Sequence, residues 1–210
     1  MLKVYDKKMI PLYDGDKRVV HKEALWHKAV TGILFNRRKK TIYFQTVYPK
    51  ESYEFDRPDY VDFSVGGHVE NEETIEQALF REAKEEINFD ISKYTFLGIR
   101  ICDCDPAPTY KIREFQFFYA LETDESLKDM DFRGSQPEVK SIIEVGIDDF
   151  LELLLNERDE IQANEITLDK KTRVGVYKEN ITLKIEQIIP DYFKDKSVLE
   201  KCLTLKAIME

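Results

Sequence analysis

Cysteine is scarce in this chain and odd in number. Cys102, Cys104 and Cys202 are irregularly spaced, which excludes a disulfide framework and leads us to expect reduced thiols in a cytoplasmic protein. Cys102-Asp103-Cys104 lacks the second Cys or His pair that would complete a metal knuckle, so two small inward side chains on one strand are expected there. No apolar run reaches the length of a membrane span. The N-terminal MLKVYDKKMIPL has no apolar core of a signal peptide. Neither feature points to a membrane partner. Positive charge is also in deficit: the formal net charge is −9, which argues against a nucleic-acid polymer as partner. Internal repeats and low-complexity tracts are missing as well. The 210 residues suffice for one domain with a full core and added elements.

The informative stretch runs from Gly66 to Phe89. An alternating apolar segment, Tyr60 to Val65, reads as a strand, and Gly66 and Gly67 then allow a sharp turn. Thr74 with Gln77 three residues later is a capping-box signature for a helix start. Ile75, Leu79, Ala83 and Ile87 recur every fourth residue and give that helix a buried stripe. Glu82, Glu85 and Glu86 fall at the edge of the stripe, with the small Ala78 among them leaving space above. Three such carboxylates repel one another, and a divalent cation removes the conflict. Mg²⁺ favours one or two carboxylates together with water and phosphate oxygens. Arg81 reaches Glu85 at i+4. Taken alone, a Glu-rich helix is a solvated acidic face; here the spacing decides otherwise.

Gly67, five residues, Glu73, seven residues, Arg81-Glu82, Ala83, one residue, Glu85-Glu86, one residue, Asn88-Phe89 resembles the Nudix box, G-x5-E-x7-R-E-U-x-E-E-x-G-U with U aliphatic. Asn88 replaces the Gly that closes the helix, and Asn is the next most tolerant residue of a left-handed cap. The resemblance implies a Nudix-type α/β/α sandwich, a mixed sheet between helices. Composition and element order alone support only an α/β or α+β class. It also implies hydrolysis of a phosphoanhydride in a small diphosphate, such as a nucleoside diphosphate linked to another group. Glu82, Glu85 and Glu86 would hold Mg²⁺ or Mn²⁺, Glu86, Glu85 and Arg81 would serve catalysis, and Glu73, Gly66 and Gly67 would support the loop. The base would be Glu86 or a loop acid, for which Asp129, Asp131 and Glu138 are candidates.

The histidines suggest a second centre. His21, His27 and His68, with Glu114 on a later strand, are similar to the metal ligands of another branch of the superfamily, the isopentenyl-diphosphate isomerases. Imidazole favours Zn, Mn or Fe over Mg. The bland alternative is a satisfied buried His27 beside Trp26, an exposed His21, and a His68 bonded to backbone. The isomerases need a cysteine where this chain has Gly66, and the intact box carboxylates favour hydrolysis over isomerisation. A third alternative is a non-catalytic protein that senses a nucleotide.

Along the chain, strands are expected at Leu2 to Tyr5, Leu25 to Phe35, Thr41 to Tyr48, Tyr94 to Cys104, Ile112 to Leu121 and Val139 to Val145. A helix capped by Asp148 or Asp149 runs to about Arg158, and residues 122–138 read as a charged surface loop. The Nudix domain is set at 1–160, with 1–23 as an N-terminal extension. In the extension at 161–210, Ile166 to Leu168 and Arg173 to Tyr177 form a hairpin, and Ile181 to Ile189 and Ser197 to Met209 are helical. This tail packs on the domain, shapes the pocket or builds a homodimer; the sequence does not choose. Tyr48, Tyr53, Phe55, Phe115 and Phe117 are candidates to stack on a base, and Lys50, Arg57, Arg100 and Arg113 to meet phosphate.

Overall fold

A computed structural model describes residues 1–48, 60–107 and 110–210. The chain opens with β1 (Leu2–Tyr5) and β2 (Pro11–Gly15), an antiparallel pair, followed by the short helix α1 (Lys17–Lys22). Gly15 ends β2, and the Asp16 side chain accepts from the Arg18 amide to cap α1. Leu2, Val4 and Val20 form a small apolar cluster that fixes α1 against the domain.

The organising pair is β3 (His27–Asn36) and β4 (Thr41–Val47). Their run of β-branched and aromatic residues is almost wholly buried. They pair directly only near the turn, at Phe35↔Ile42 and Asn36↔Thr41. Beyond that the two strands splay. Into the gap come β5 (Asp62–Phe63), which pairs with β4, and β6 (Val65–His68), which pairs with β3. The other side of β3 runs parallel to β8 (Tyr110–Glu122), and β8 pairs antiparallel with β7 (Tyr94–Ala107). The other side of β4 carries β9 (Val139–Gly146), then β10 (Glu160–Leu168) and β11 (Gly175–Lys184). The result is one mixed nine-stranded sheet.

Helices cover both faces. On one side α2 (Ile75–Ile87) buries Ala78, Leu79, Ala83 and Ile87 against Val30, Leu34, Tyr43, Val65 and Leu121. A full burial of Leu79 or Ile87 contributes roughly 1.5–3 kcal/mol. On the other, α3 (Ile147–Leu154) and α4 (Lys196–Met209) close over Phe44, Phe63, Phe118 and Phe150. This is the expected layered α+β architecture with a mixed sheet between helices.

Several expectations are corrected. Ile181 to Ile189 is not helical. Ile181 and Leu183 pair with Ala163 and Ile161 as the end of β11, and a 3₁₀ turn follows at Ile185–Gln187. Apolar residues at 181, 183 and 185 fit a period of two, and pairing with β10 decides between the two patterns. Ser197 to Met209 is helical, as α4. Gly146, not Asp148 or Asp149, occupies the N-cap of α3; the two aspartates sit in its first turn, where they face the positive end of the helix. Glu122 ends β8 and residues 123–138 form no regular element, yet Leu127 and Phe132 are buried and anchor the segment under α2.

Candidate active site

The helix that carries the motif is built as its sequence dictates. The Thr74 hydroxyl accepts from the Gln77 amide at 3.1 Å, and the Gln77 side chain accepts from the Thr74 amide at 2.8 Å. Asn88 ends α2 in the left-handed region at φ 53°, and its side chain donates to the Asp131 carbonyl at 2.9 Å. The two glycines, however, are not in a turn. They lie within strand β6, and neither has positive φ. Gly67 is needed for space: a Cβ there would stand 2.0 Å from Glu82 Cδ, whereas one on Gly66 would meet nothing within 4 Å. Ala78 is fully buried in the core and does not line the cleft that Glu82 and Glu86 face.

Arg81 is the hub of the loop between β6 and α2. Its Nε donates to Glu73 Oε1 at 2.7 Å and its Nη2 to Glu73 Oε2 at 2.9 Å and to the His68 carbonyl at 3.0 Å. Its Nη1 donates to Glu82 Oε1 at 2.8 Å and reaches Glu85 Oε2 at 3.4 Å. Glu73 also accepts from the Glu70 amide at 3.0 Å. The Arg81 hydrogen bonds hold the Glu73 carboxyl below the ordinary range.

Glu82 and Glu86 face a cleft that opens where β3 and β4 splay. Glu86 Oε2 accepts from the Gly66 amide at 2.8 Å and from Gln45 Nε2 at 3.1 Å. Burial, reinforced by the nearby Glu82, pushes the Glu86 carboxyl up to about 8; burial also raises Glu82. The buried Gln45 Oε1 next to them has no hydrogen-bond partner among the described residues. Two crowded carboxyls and an unmatched amide oxygen make an acceptor-rich corner that a hard cation fits. Glu85 is not among the residues lining the cleft; its carboxylate leans toward Arg81. Among the described residues, the three box carboxylates are not gathered into one ligand cluster.

The histidines are so gathered. Donor atoms of His21, His27, His68 and Glu114 all lie within 4.8 Å of one another. Helix α1 supplies His21, the start of β3 supplies His27, the end of β6 supplies His68, and β8 supplies Glu114, opposite His27 in the parallel register. His27 Nδ1 lies 2.8 Å from the Leu25 carbonyl, so that nitrogen carries the proton in the neutral ring. Its Nε2 lone pair then faces Glu114 Oε1 at 3.3 Å. Two acceptors in contact need a cation between them, either a proton or a metal. His21 Nε2 and His68 Nε2 meet at 2.9 Å. Burial drives the His68 imidazole well below its ordinary value and keeps it neutral, as a metal ligand must be. Burial alone would raise the Glu114 carboxyl, but the hydrogen bond and charge of His27, with His68 and Gln116 behind them, hold it well below the carboxylate range.

The remaining candidates divide. Glu138 lines the cleft; Asp129 and Asp131 do not, and Asp131 pairs with Arg133 at 2.8 Å. Arg100 lines the cleft and is buried, held by Asp195 at 2.6 Å and by Gln116 at 3.0 Å. Gln116 donates in turn to Glu114 at 2.8 Å. Arg113 is occupied by Asp103 and Asp105, each at 2.8 Å. Tyr48 donates to the Leu168 carbonyl at 2.7 Å, and Phe115 is buried beside Trp26. Phe117 packs partly buried against the α2-side core. None of these three aromatics lines the cleft. Tyr53, Phe55, Lys50 and Arg57 lie outside the described residues. Sequence reasoning missed Lys17, Gln45, Asp62, Gln116, Asp191 and Tyr192, all in the cleft lining. They come from five elements, with Asp191 and Tyr192 on one 3₁₀ turn, and share no local pattern.

A family model described as the NUDIX domain matches residues 25–166. No curated protein matches significantly. Among solved structures, DR0079 from Deinococcus radiodurans is similar at 21% identity and a TM-score of 0.51, covering 74% of this chain and 88% of its own. A MutT described from Aliivibrio salmonicida and Vibrio cholerae is 23% identical with a TM-score of 0.41, covering 62% of this chain and 85% of its own. The Caenorhabditis elegans Ap4A hydrolase is 18% identical with a TM-score of 0.39, covering 60% of this chain and 83% of its own.

Proposed function

The chain belongs to the NUDIX domain family and is a diphosphate hydrolase of that family, and on that premise we propose that it cleaves a phosphoanhydride bond of a nucleoside diphosphate linked to another group, or of a similar small diphosphate. The observation that carries this reading is the acceptor-rich corner formed by Glu82, Glu86 and Gln45 where the sheet splays. Glu82, Glu85 and Glu86 would hold Mg²⁺ or Mn²⁺, which when bound neutralises diphosphate charge and makes water a better nucleophile. The Glu85 side chain, half-exposed on α2 and 3.4 Å from Arg81, would have to turn from that arginine to complete the set.

The chain's own groups do the rest. Glu86, whose carboxyl burial pushes up to about 8 without a metal, is the box candidate for the base, and only in its ionised form would it take the proton of the attacking water. Arg81, by holding Glu73, Glu82 and the His68 carbonyl together, keeps β6 and α2 in fixed register. Arg100 and Lys17 are cations in the cleft lining, suited to the phosphate oxygens. The test is a panel of nucleoside diphosphate derivatives and an isoprenoid diphosphate, assayed with Mg²⁺ or Mn²⁺ for phosphate, nucleotide and isomer release. Metal-dependent cleavage of at least one member is expected. Isomer without hydrolysis, or binding without turnover, would replace the reading with one of its two alternatives.

His21, His27, His68 and Glu114 are proposed as a second, separate metal centre. The four donor atoms lie within 4.8 Å of one another, so side-chain shifts of under about 1 Å each would bring them onto one ion. Three imidazoles and a carboxylate suit Zn, Mn or Fe. The Leu25 carbonyl orients His27, and Gln116 orients Glu114. His27→Ala and His68→Ala are each expected to weaken binding of one equivalent of Zn²⁺ by at least about 10-fold in calorimetric titration. Unchanged affinity in both variants would remove the centre.

A further inference from the structure

We propose that Cys102 and Cys104 form a two-sulfur site for a thiophilic metal ion in the wall of the cleft. Alternate residues of a strand project to one face, and β7 turns both thiols toward the cleft, which each of them lines. Their sulfurs lie 3.3 Å apart. With metal–sulfur bonds of about 2.3 Å, that gap corresponds to an S–metal–S angle of about 90°. A tetrahedral ion asks for about 0.4 Å more, within reach of small side-chain rotations. Asp191, in the 3₁₀ turn Pro190–Phe193, lines the same cleft.

Packing does not account for this pair. Cys202 is the chain's packing cysteine, buried among Val198, Leu205 and Phe118 in the core under α4. Cys104, by contrast, is half-buried at the cleft. A disulfide is a poor alternative. It requires Cβ atoms about 3.5–4.5 Å apart, whereas alternate residues of an extended strand are separated by roughly 6.5 Å. Two sulfurs that approach each other from such positions are placed to share an ion. Soft thiolates select Zn²⁺, Cd²⁺ or Cu⁺ over Mg²⁺, so this site and the carboxylate corner would not compete for the same metal. Binding releases one proton from each thiol and leaves both sulfurs as thiolates on the ion.

The experiment is an optical titration of the reduced, chelator-stripped protein with Cd²⁺, read from the ultraviolet charge-transfer band of cadmium thiolates. One equivalent is expected to saturate the band. Cys102→Ser and Cys104→Ser should each abolish it, and Cys202→Ser and the His21→Ala/His68→Ala double variant should retain it. Should Cys102→Ser fail to fold by circular dichroism, Cys104→Ser alone decides. A band that persists in Cys104→Ser, or no band in wild-type protein with three titratable thiols, overturns the proposal. The readout needs no turnover, so it stands apart from the hydrolase reading. If both hold, one equivalent of Cd²⁺ also slows diphosphate cleavage, and a dithiol chelator restores it.

Discussion

Glu86→Gln is expected to lower metal-dependent diphosphate cleavage by about 10²- to 10⁴-fold and to leave the fold intact. The amide keeps the shape of the side chain and still accepts from the Gly66 amide, which donates to Glu86 at 2.8 Å. Beside it lies Gln45 Oε1, which has no hydrogen-bond partner among the described residues. What is lost is a negative charge and a base. The same substitution has a signature in stability. Glu86 is raised from 4.5 to about 8, so between those values the folded protein holds a proton that the unfolded chain has released. Stability of the metal-free protein therefore falls as pH rises through that window, and it is highest, as far as this group is concerned, at the acid end. Glutamine removes the contribution. Thermal unfolding in a chelator at pH 5 and pH 8 should show a smaller loss in the variant than in the wild type. Wild-type turnover, or an equal loss of melting temperature in both proteins, would remove Glu86 from its assigned place.

Gly67→Ala is expected to damage both activity and stability, whereas Gly66→Ala leaves stability close to wild type. The added methyl of Gly67→Ala would lie 2.0 Å from Glu82 Cδ and Oε1, a clash that no small adjustment relieves. Glu82 must move, and Arg81 Nη1, which donates to it at 2.8 Å, must follow or lose the bond. A displacement of about 1 Å in such a group costs on the order of 10²-fold in rate, and the overpacking costs about 1–3 kcal/mol. At Gly66 the same methyl meets nothing within 4 Å. Chemical denaturation and steady-state rates for the pair check this. Equal stability of the two variants would show that the motif glycine is not there to make room for Glu82.

That result bears on how far the sequence could be read. The capping box at Thr74, the stripe at Leu79, Ala83 and Ile87, and the left-handed Asn88 are all local. Each is decided by neighbours within a few positions, and each is present in the structure as the spacing predicts. The need for Gly67 looked local too, but it depends on Glu82, which reaches the strand only because β6 is wedged beside β3. Ile181 to Ile189 has the same lesson in reverse: its pattern fits either period, and β10 decides. Gln45, Gln116, Asp62 and Asp191 entered the cleft through strand pairing and a 3₁₀ turn, and no run of residues around them announces it. His21, His27, His68 and Glu114 were found through a resemblance; the structure places their donor atoms together.

The parallel pairing of β3 with β8 joins segments from distant parts of the chain, and His27 meets Glu114 only through that register. Contacts of such long sequence separation form slowly, because loop-closure entropy must be spent before they return anything. The β6–α2 segment can order early from its own short-range contacts, while the imidazole–carboxylate cluster waits for β8 to dock. An ion bound at that cluster would therefore meet a finished scaffold; it would hold the native chain against unfolding and do little to hasten its assembly.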